Sequence, residues 1–269
     1  MLRSMYSGVS GMKGFQTKLD VIGNNIANVN TTGFKSSRVM FKDILSQTSS
    51  GASAPDATTT AGQNAKQVGL GVSVSSIDTM HLPGSAMTTN NPTDLRINGD
   101  GFFLVKMSDA QDVPYLTRAG DFHVDANRNL VTSDGFFVTS LGGDPITLAD
   151  NVTSFSIQQN GTIVQQLDDG TVDNGTQIAL AKVTNPEGLE KIGGSLYRTT
   201  VNSNIDAIEP GVANENGLGA IISGQLEMSN VDLTGEFTEM IVAQRGFQAN
   251  SRIITTSDEV LQEVVNLKR

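Results

Sequence analysis

The sequence predicts an α+β protein that is mainly β, with one long helix at each end and an antiparallel β domain between them. Apolar residues recur at seven-residue intervals near the two ends, as amphipathic helices require. All seven prolines lie between these ends, so none interrupts a long helix. The middle alternates short apolar runs with Asn-Gly and Asp-Gly pairs, which favour hairpin turns.

The first predicted helix runs from Leu2 to about Asn28, within an N-terminal coiled-coil segment assigned to residues 1–33. Asn28, Asn30 and Gly33 supply the turn chemistry that ends it. Its apolar stripe predicts a packing surface, which we call the N-terminal seam. The N-terminal seam consists of Met5, Met12, Leu19, Ile22 and Ile26.

The second predicted helix occupies about Leu233 to Leu267, within a C-terminal coiled-coil segment assigned to residues 227–269. Asp232 is the expected N-cap, and Lys268 and Arg269 suit the negative end of the helix dipole. Its heptad column is the C-terminal seam: Leu233, Met240, Phe247, Ile254 and Leu261.

The neighbouring column of the second helix is partly polar. Asn250 and Ser257 are either imperfections in an apolar surface or residues that set the register, as buried polar residues do in coiled coils. The pattern favours neither interpretation over the other.

The central region divides into a connector, residues 34–80, and a β domain, residues 81–226. In the connector, residues 46–66 are rich in Ser, Thr, Ala and Gly and predict a flexible loop or an insertion. Residues 68–74 alternate apolar and small or polar residues, which predicts a half-buried strand. Two copies of Asp-Gly-Phe-Phe, at 100–103 and 134–137, predict matching hairpin strands.

The two end helices have each other as their natural partners within the chain, so we expect them to pair as a coiled coil. A two-helix hairpin that is covered on one side offers too little apolar burial to offset the ordering of both helices. We therefore expect the ends to become ordered when other copies of the chain cover them.

Composition excludes several classes of function. The formal net charge of -10 disfavours binding to nucleic acid or to an anionic membrane. The chain has no Cys for thiolate metal sites, and no apolar run is long enough to span a membrane. The N-terminus lacks the continuous apolar region of a cleaved signal peptide.

No enzyme, cofactor or metal site is predicted. Ser10 and Lys13 form a Ser-x-x-Lys pattern, but both lie on the amphipathic first helix. The segment that begins at Asp94 resembles a calcium loop, yet Arg96 occupies a ligand position. His81 and His123 are interpreted as ordinary polar residues.

Several segments resemble the bacterial flagellar axial proteins, the rod and hook family. They are "SGVSGM", "LDVIGNNIANVNTTGFK", "LRINGDGFF", "YLTRAGDFHVDANRNLVTSDGFFV" and the C-terminal segment from "SNVDL" to "VVNL". Together they cover nearly the whole chain. The polar positions that match the family motifs are Asn24, Asn25, Asn28, Asn230, Gln244, Arg245 and Asn250.

The resemblance implies a structural subunit that the flagellar type III apparatus exports without a cleaved signal and that polymerises outside the cytoplasmic membrane. The partners would be further copies of the chain and neighbouring rod, hook or junction proteins. Such a tube transmits motor torque to the filament for swimming. A non-polymerising flagellar adaptor or cap, using the same helices against another partner, is the second hypothesis.

Within the family, "SNVDL", "MIVAQRGFQ" and the "VNLKR" ending favour a hook subunit. The length of 269 residues and the segment 46–66 favour a distal rod subunit instead. We take the hook as the main expectation and the distal rod as its alternative.

Overall fold

The chain folds into two compact units, each built from several chain segments. The computed structural model describes residues 2–54, 61–108, 111, 113–205 and 208–267. Unit 1 comprises Met1–Ala27, Ser37–Thr79 and Asp232–Arg269, and unit 2 comprises Asn28–Ser36 and Met80–Val231. The prediction for Lys268 and Arg269 lies outside the described residues.

Unit 1 contains both long helices and four strands. In chain order these are α1 (Leu2–Ala27), β1 (Ser37–Asp43), β2 (Ser46–Ser50), β3 (Lys66–Gly69), β4 (Val72–Thr79) and α2 (Leu233–Asn266).

The predicted helix boundaries agree with the structure to within a residue or two. Asp232 has extended backbone angles, and its carboxylate accepts a hydrogen bond of 3.1 Å from the amide of Thr234, as an N-cap does. At the other helix, α1 ends at Ala27 and the chain turns through Gly33, whose φ is +65°. Glycine adopts this left-handed angle at little cost.

The strands of unit 1 correct two predictions. Residues 46–66 are not simply a flexible loop, because β2 and β3 pair as antiparallel strands, with Gln47 opposite Val68. The middle of that segment, residues 55–60, lies outside the described residues. The strand predicted over 68–74 is two strands, because Gly71, at φ +130°, separates β3 from β4.

The second of these strands, β4, pairs with β1 in antiparallel fashion rather than continuing β3. A bulge between Met40 and Phe41 shifts the register. Phe41 then lies against α1, with its ring centroid 6.0 Å from that of Phe15. Local alternation could not reveal the break, because a half-buried strand on either side of it shows the same pattern.

Unit 2 contains the remaining strands and a 3₁₀ turn at Pro186–Gly188. The strands are β5 (Ala86–Thr88), β6 (Leu95–Asn98), β7 (Phe102–Lys106), β8 (Tyr115–Thr117), β9 (Phe122–Val124), β10 (Leu130–Thr132), β11 (Phe137–Val138), β12 (Val152–Ile157), β13 (Thr162–Leu167), β14 (Val172–Gln177), β15 (Leu180–Ala181), β16 (Glu190–Gly193), β17 (Leu196–Arg198), β18 (Pro210–Gly211), β19 (Ala220–Ser223) and β20 (Gln225–Glu227).

These strands form a nine-stranded sheet and smaller sheets around it. The main sheet follows the order β16-β17-β8-β7-β11-β10-β9, and β15 joins β7 to β18. A three-stranded sheet has the order β12-β13-β14, and β6 pairs with β19 and β5 with β20. All the pairings among the described strands are antiparallel, as predicted for this domain.

The core of unit 2 is apolar and fully buried. Phe103 and Phe122 meet edge to face at 5.1 Å in its centre. The two Asp-Gly-Phe-Phe copies lead into neighbouring strands, β7 and β11, but Phe137 lies opposite Lys106 rather than opposite the first copy. The copies therefore share a sheet without matching each other in register.

One charged cluster is also buried in unit 2. Lys35 Nζ lies 2.6 Å from Glu227 Oε1, and Arg118 Nη1 lies 3.3 Å from Glu227 Oε2. Arg118 also donates to the carbonyl of Gly99 and lies over the ring of Phe102. Each charge is therefore paired, which a buried charge requires.

Candidate assembly surface

The two helices of unit 1 pack against each other in antiparallel fashion. A Cβ at Gly11 would lie 2.9 Å from Asn250 Nδ2, and one at Gly246 would lie 2.6 Å from the ring of Phe15. Residue numbers along α1 therefore increase as those of the contacting residues on α2 decrease. The ion pair between Lys18 of α1 and Glu239 of α2 follows the same order.

Small residues form the line of closest approach between the helices. Gly8 and Gly11 are buried on α1, and the buried residue of α2 is Ala243. A Cβ at Gly8 would already touch the carbonyl of Asn250 and the side chain of Ile254 at 3.4 Å. Glycine destabilises the interior of a helix, so Gly8 and Gly11 are a sequence signal for close packing. The prediction from the apolar stripe did not use this signal.

The predicted seam residues are covered to different degrees. Ile22 is buried, and Met5, Met12, Leu19, Ile26, Met240, Ile254 and Leu261 are half-buried. Leu233 and Phe247 are exposed. The predicted seams are thus only partly covered within one chain.

Asn25 makes the most complete set of polar contacts on α1. Its Nδ2 donates to the carbonyl of Ser37 and to Glu236 Oε1, both at 2.9 Å, and its Oδ1 accepts from the Ser37 amide at 3.0 Å. One buried amide therefore joins the last turn of α1 to the start of β1 and to the first turn of α2. Burial raises the pKa of Glu236, and the Asn25 hydrogen bond acts in the opposite direction.

The other motif residues divide into two groups. Asn250 Nδ2 donates to the carbonyl of Gly246, which lies within α2 itself. Asn230, in unit 2, accepts from the Ser36 amide and donates to the carbonyl of Met80. Asn28 is half-buried, whereas Asn24, Gln244 and Arg245 are exposed.

A row of apolar side chains along one side of α2 remains exposed: Val242, Ile253, Val260 and Val264. At about 100° per residue, these four positions lie within about 40° of one another around the helix. Phe237, Ile241 and Val265 are also exposed, on other sides of α2. Contiguous exposed apolar surface marks interaction sites, and this row is the candidate on α2. We call the row of Val242, Ile253, Val260 and Val264 the open face of α2.

The helices differ in length, and the open face of α2 extends beyond the N-terminal start of α1. With 34 residues, α2 is about 51 Å long, against about 39 Å for the 26 residues of α1. Because Gly8 lies beside Ile254, the start of α1 lies near residue 260 of α2. The last two turns of α2 therefore have no counterpart on α1.

Catalytic and metal chemistry find no support in the described residues. Ser10 donates to the carbonyl of Ser7, and the carboxylate of Asp94 accepts from the Asn91 side chain within a turn. Across that part of the chain, no three His, Asp or Glu side chains are grouped so as to hold a metal ion. Neither described helix is long and apolar enough to cross a membrane.

Three family models match the sequence. A model described as flagella basal body rod protein matches residues 5–35, and one described as flagellar hook protein FlgE/F/G D1 domain matches residues 96–165. A model described as flagellar basal body rod FlgEFG protein C-terminal matches residues 222–267. The outer two matches include the helices α1 and α2.

Similar proteins align over the whole chain. The flagellar basal-body rod protein FlgG of Bacillus subtilis is 55% identical over 271 residues, and that of Borreliella burgdorferi is 37% identical over 271, with 100% of both chains covered in each case. The flagellar hook protein FlgE of Borreliella burgdorferi is 31% identical, also with 100% of both chains covered, but its alignment spans 449 residues. That length requires long gaps in the 269-residue chain.

Proposed function

This chain belongs to the family of flagellar rod and hook proteins, and we propose that it is a distal rod subunit that polymerises into the drive shaft of the basal body. The relatives named as rod proteins support the rod over the hook, which was the main expectation from sequence. They align at nearly equal length, whereas the hook relative carries long additional segments. The hook expectation rested on short terminal motifs, and these are shared across the family models.

The open face of α2 is the observation that carries this proposal. In a helical polymer, further copies cover the apolar surface that α1 leaves exposed, and the terminal helices of many copies form a coiled-coil inner wall. A repeated head-to-tail contact of this kind produces an open helical assembly rather than a closed dimer. The same covering adds order to both helices, because each copy supplies apolar contacts that a single hairpin lacks.

The neighbours in this proposal are further copies of the chain and adjoining rod and hook proteins. The subunit reaches its place outside the cytoplasmic membrane through the flagellar export apparatus. Torque then passes from copy to copy through the packed helices and sheets.

The assembly test uses a substitution on the open face with a matched polar control. Val242→Asp places a carboxylate on the exposed apolar row, while Thr238→Asp places one at an exposed polar position four residues away. We expect the purified full chain and Thr238→Asp to form tubes by electron microscopy, and Val242→Asp to remain soluble. Leu261→Asp and Ile26→Asp test the half-buried seam in the same way.

Normal tubes from Val242→Asp would contradict the role of the open face, and a small complex of fixed size would support an adaptor instead. The choice between rod and hook needs cells that lack the gene. We expect basal bodies with a truncated rod, whereas a complete rod without a hook would favour the hook assignment.

A further inference from the structure

His81 is half-buried in an aromatic cleft in unit 2. Its ring lies edge-on to Phe102 and to Tyr197, with centroids 5.6 Å and 5.3 Å away. Both ring nitrogens are buried, and neither has a hydrogen-bond partner of normal geometry among the described residues. A neutral imidazole tolerates this cleft far better than a charged one, because burial penalises charge.

The groups that face the cleft are mostly cationic. Burial, together with the charges of Lys35, Lys191 and Arg118, lowers the pKa of His81 to about 4, while the Pro186 backbone acts in the opposite direction. The nearby anion, Glu227, is already paired with Lys35 and Arg118. The Tyr197 hydroxyl stays protonated, since burial raises its pKa.

The segment that carries His81, residues 80–84, is held by its neighbours on both sides of the histidine. The Met80 amide donates to the carbonyl of Ser36 at 2.8 Å, and the Gly84 amide donates to Glu227 Oε1 at 2.9 Å. Between them, Lys35 Nζ donates to the carbonyl of Leu82 at 2.7 Å. The position of residues 80–84 and the position of the His81 ring in its cleft therefore depend on the same charged cluster, Lys35, Arg118 and Glu227.

We propose that residues 80–84 form an acid-released latch, which opens when His81 takes up a proton and its ring leaves the cleft between Phe102 and Tyr197. The closed state holds the neutral ring beside three cations, whereas the open state lets water solvate the imidazolium. Opening would also free Glu227 and Lys35 of their contacts with Gly84 and Leu82. This latch does not depend on the proposed rod function, because all its groups lie within unit 2 of one chain.

The direction of the effect follows from proton linkage. An open ring titrates near the ordinary value of 6.5, and the closed ring near 4, so the open state binds more protons between these values. Closure is therefore complete above pH 6.5 and weakens as the pH falls towards 4. With a pKa of 6.5 in the open state and about 4 in the closed state, the equilibrium constant for opening is about 30-fold larger at pH 5 than at pH 8.

Hydrogen exchange of the full-length chain tests the latch directly. The amides of Met80 and Gly84 report opening, and the Ile178 amide, bonded to the carbonyl of Gly161, serves as a reference elsewhere in unit 2. After correction for the intrinsic pH dependence of exchange, we expect protection at Met80 and Gly84 to fall about 30-fold from pH 8 to pH 5. Protection at Ile178 should stay constant.

The two histidines of the chain provide a matched pair of variants. His81→Phe and His81→Gln should both remove the pH dependence at Met80 and Gly84, and His123→Gln should retain it. A pH response that persists in both His81 variants, or its absence from the unmodified chain, would overturn the latch. The measurement uses unassembled protein, so failure of polymerisation would leave its outcome intact.

Discussion

Lys35 and Glu227 form a fully buried ion pair, with Nζ and Oε1 2.6 Å apart and side chains 0% and 1% exposed. The pair joins positions 192 residues apart in sequence. Glu227 also binds Arg118, and its backbone carbonyl accepts from the Gly33 amide at 2.8 Å. Through its carboxylate and its backbone carbonyl, Glu227 thus connects several separate segments of unit 2.

Glu227→Gln should destabilise unit 2 strongly. The substitution leaves two buried cations without a counter-charge, a change that costs about 3–5 kcal/mol in comparable buried pairs. Urea unfolding of the full chain, followed by fluorescence of the tyrosines, measures this loss. Glu190→Gln is the control, because Glu190 and its partner Arg198 are both largely exposed. Equal effects of the two variants would show that the buried pair adds nothing beyond a surface pair.

The same carboxylate predicts an acid limit to stability. Burial acts to raise the pKa of Glu227, but Arg118 and Lys35, with the hydrogen bonds from Lys35 and Gly84, hold it below the ordinary 4.5. A lowered folded-state pKa means that this contribution is present above pH 4.5 and is lost as the pH falls below it. We expect unfolding free energies measured between pH 5 and pH 3 to fall less steeply in Glu227→Gln. An identical slope in both proteins would exclude Glu227 as a source of acid sensitivity.

Gly33→Ala should be far more damaging than an alanine at another left-handed glycine. A Cβ at Gly33 would lie 2.5 Å from the Ala119 nitrogen and 2.6 Å from the Arg118 carbonyl carbon, so the backbone would have to move. Gly170 has a similar φ, +76° against +65°, but open space around it. We expect the free energy of unfolding to fall by about 1–2 kcal/mol in Gly170→Ala and by more than about 4 kcal/mol in Gly33→Ala. Comparable urea midpoints would refute the steric explanation.

Asn25→Ala should weaken unit 1 through the contacts that Asn25 makes with Ser37 and Glu236. The Ser37 amide would lose its acceptor, and each lost or unmet buried hydrogen bond costs about 1–3 kcal/mol. The helical circular-dichroism signal of the assembled protein should therefore be lost at a lower temperature. Gln16→Ala, at an exposed position of the same helix, is the comparison and should melt close to the unmodified protein. An equal or larger drop for Gln16→Ala would contradict the role assigned to Asn25.

Local patterns in the sequence predicted much of this fold correctly. Seven-residue periodicity located α1 and α2, and the side chain of Asp232 identified the start of α2. The Asp-Gly pair at 134–135 and the Asn-Gly pair at 160–161 lie at hairpin turns of unit 2. The Asn-Gly pair at 98–99 does not, because β6 pairs with β19 rather than with β7, and the pair at 174–175 lies inside β14. The family resemblance agrees with the similar proteins. Their names and lengths favour the distal rod, the alternative, over the hook, the main expectation. Terminal motifs could not decide that choice, because family members share them.

Non-local contacts account for what the sequence did not predict. Residues 46–66 have the composition of a loop, yet β2 lies within them and β3 begins at their last residue, and the pairing becomes visible only when β2 meets β3. The large apolar seam residues suggested the helix contact, but Gly8, Gly11 and Gly246 permit the closest approach. His81 was interpreted as an ordinary polar residue, but its ring lies between Phe102 and Tyr197.

The sequence by itself determined the two amphipathic helices and the turns, because periodicity and turn chemistry act over a few neighbouring residues. Only the tertiary structure decided which side of each helix is covered, and that Lys35 meets Glu227 across 192 residues. Burial and charge pairing depend on segments distant in sequence, so no local pattern records them.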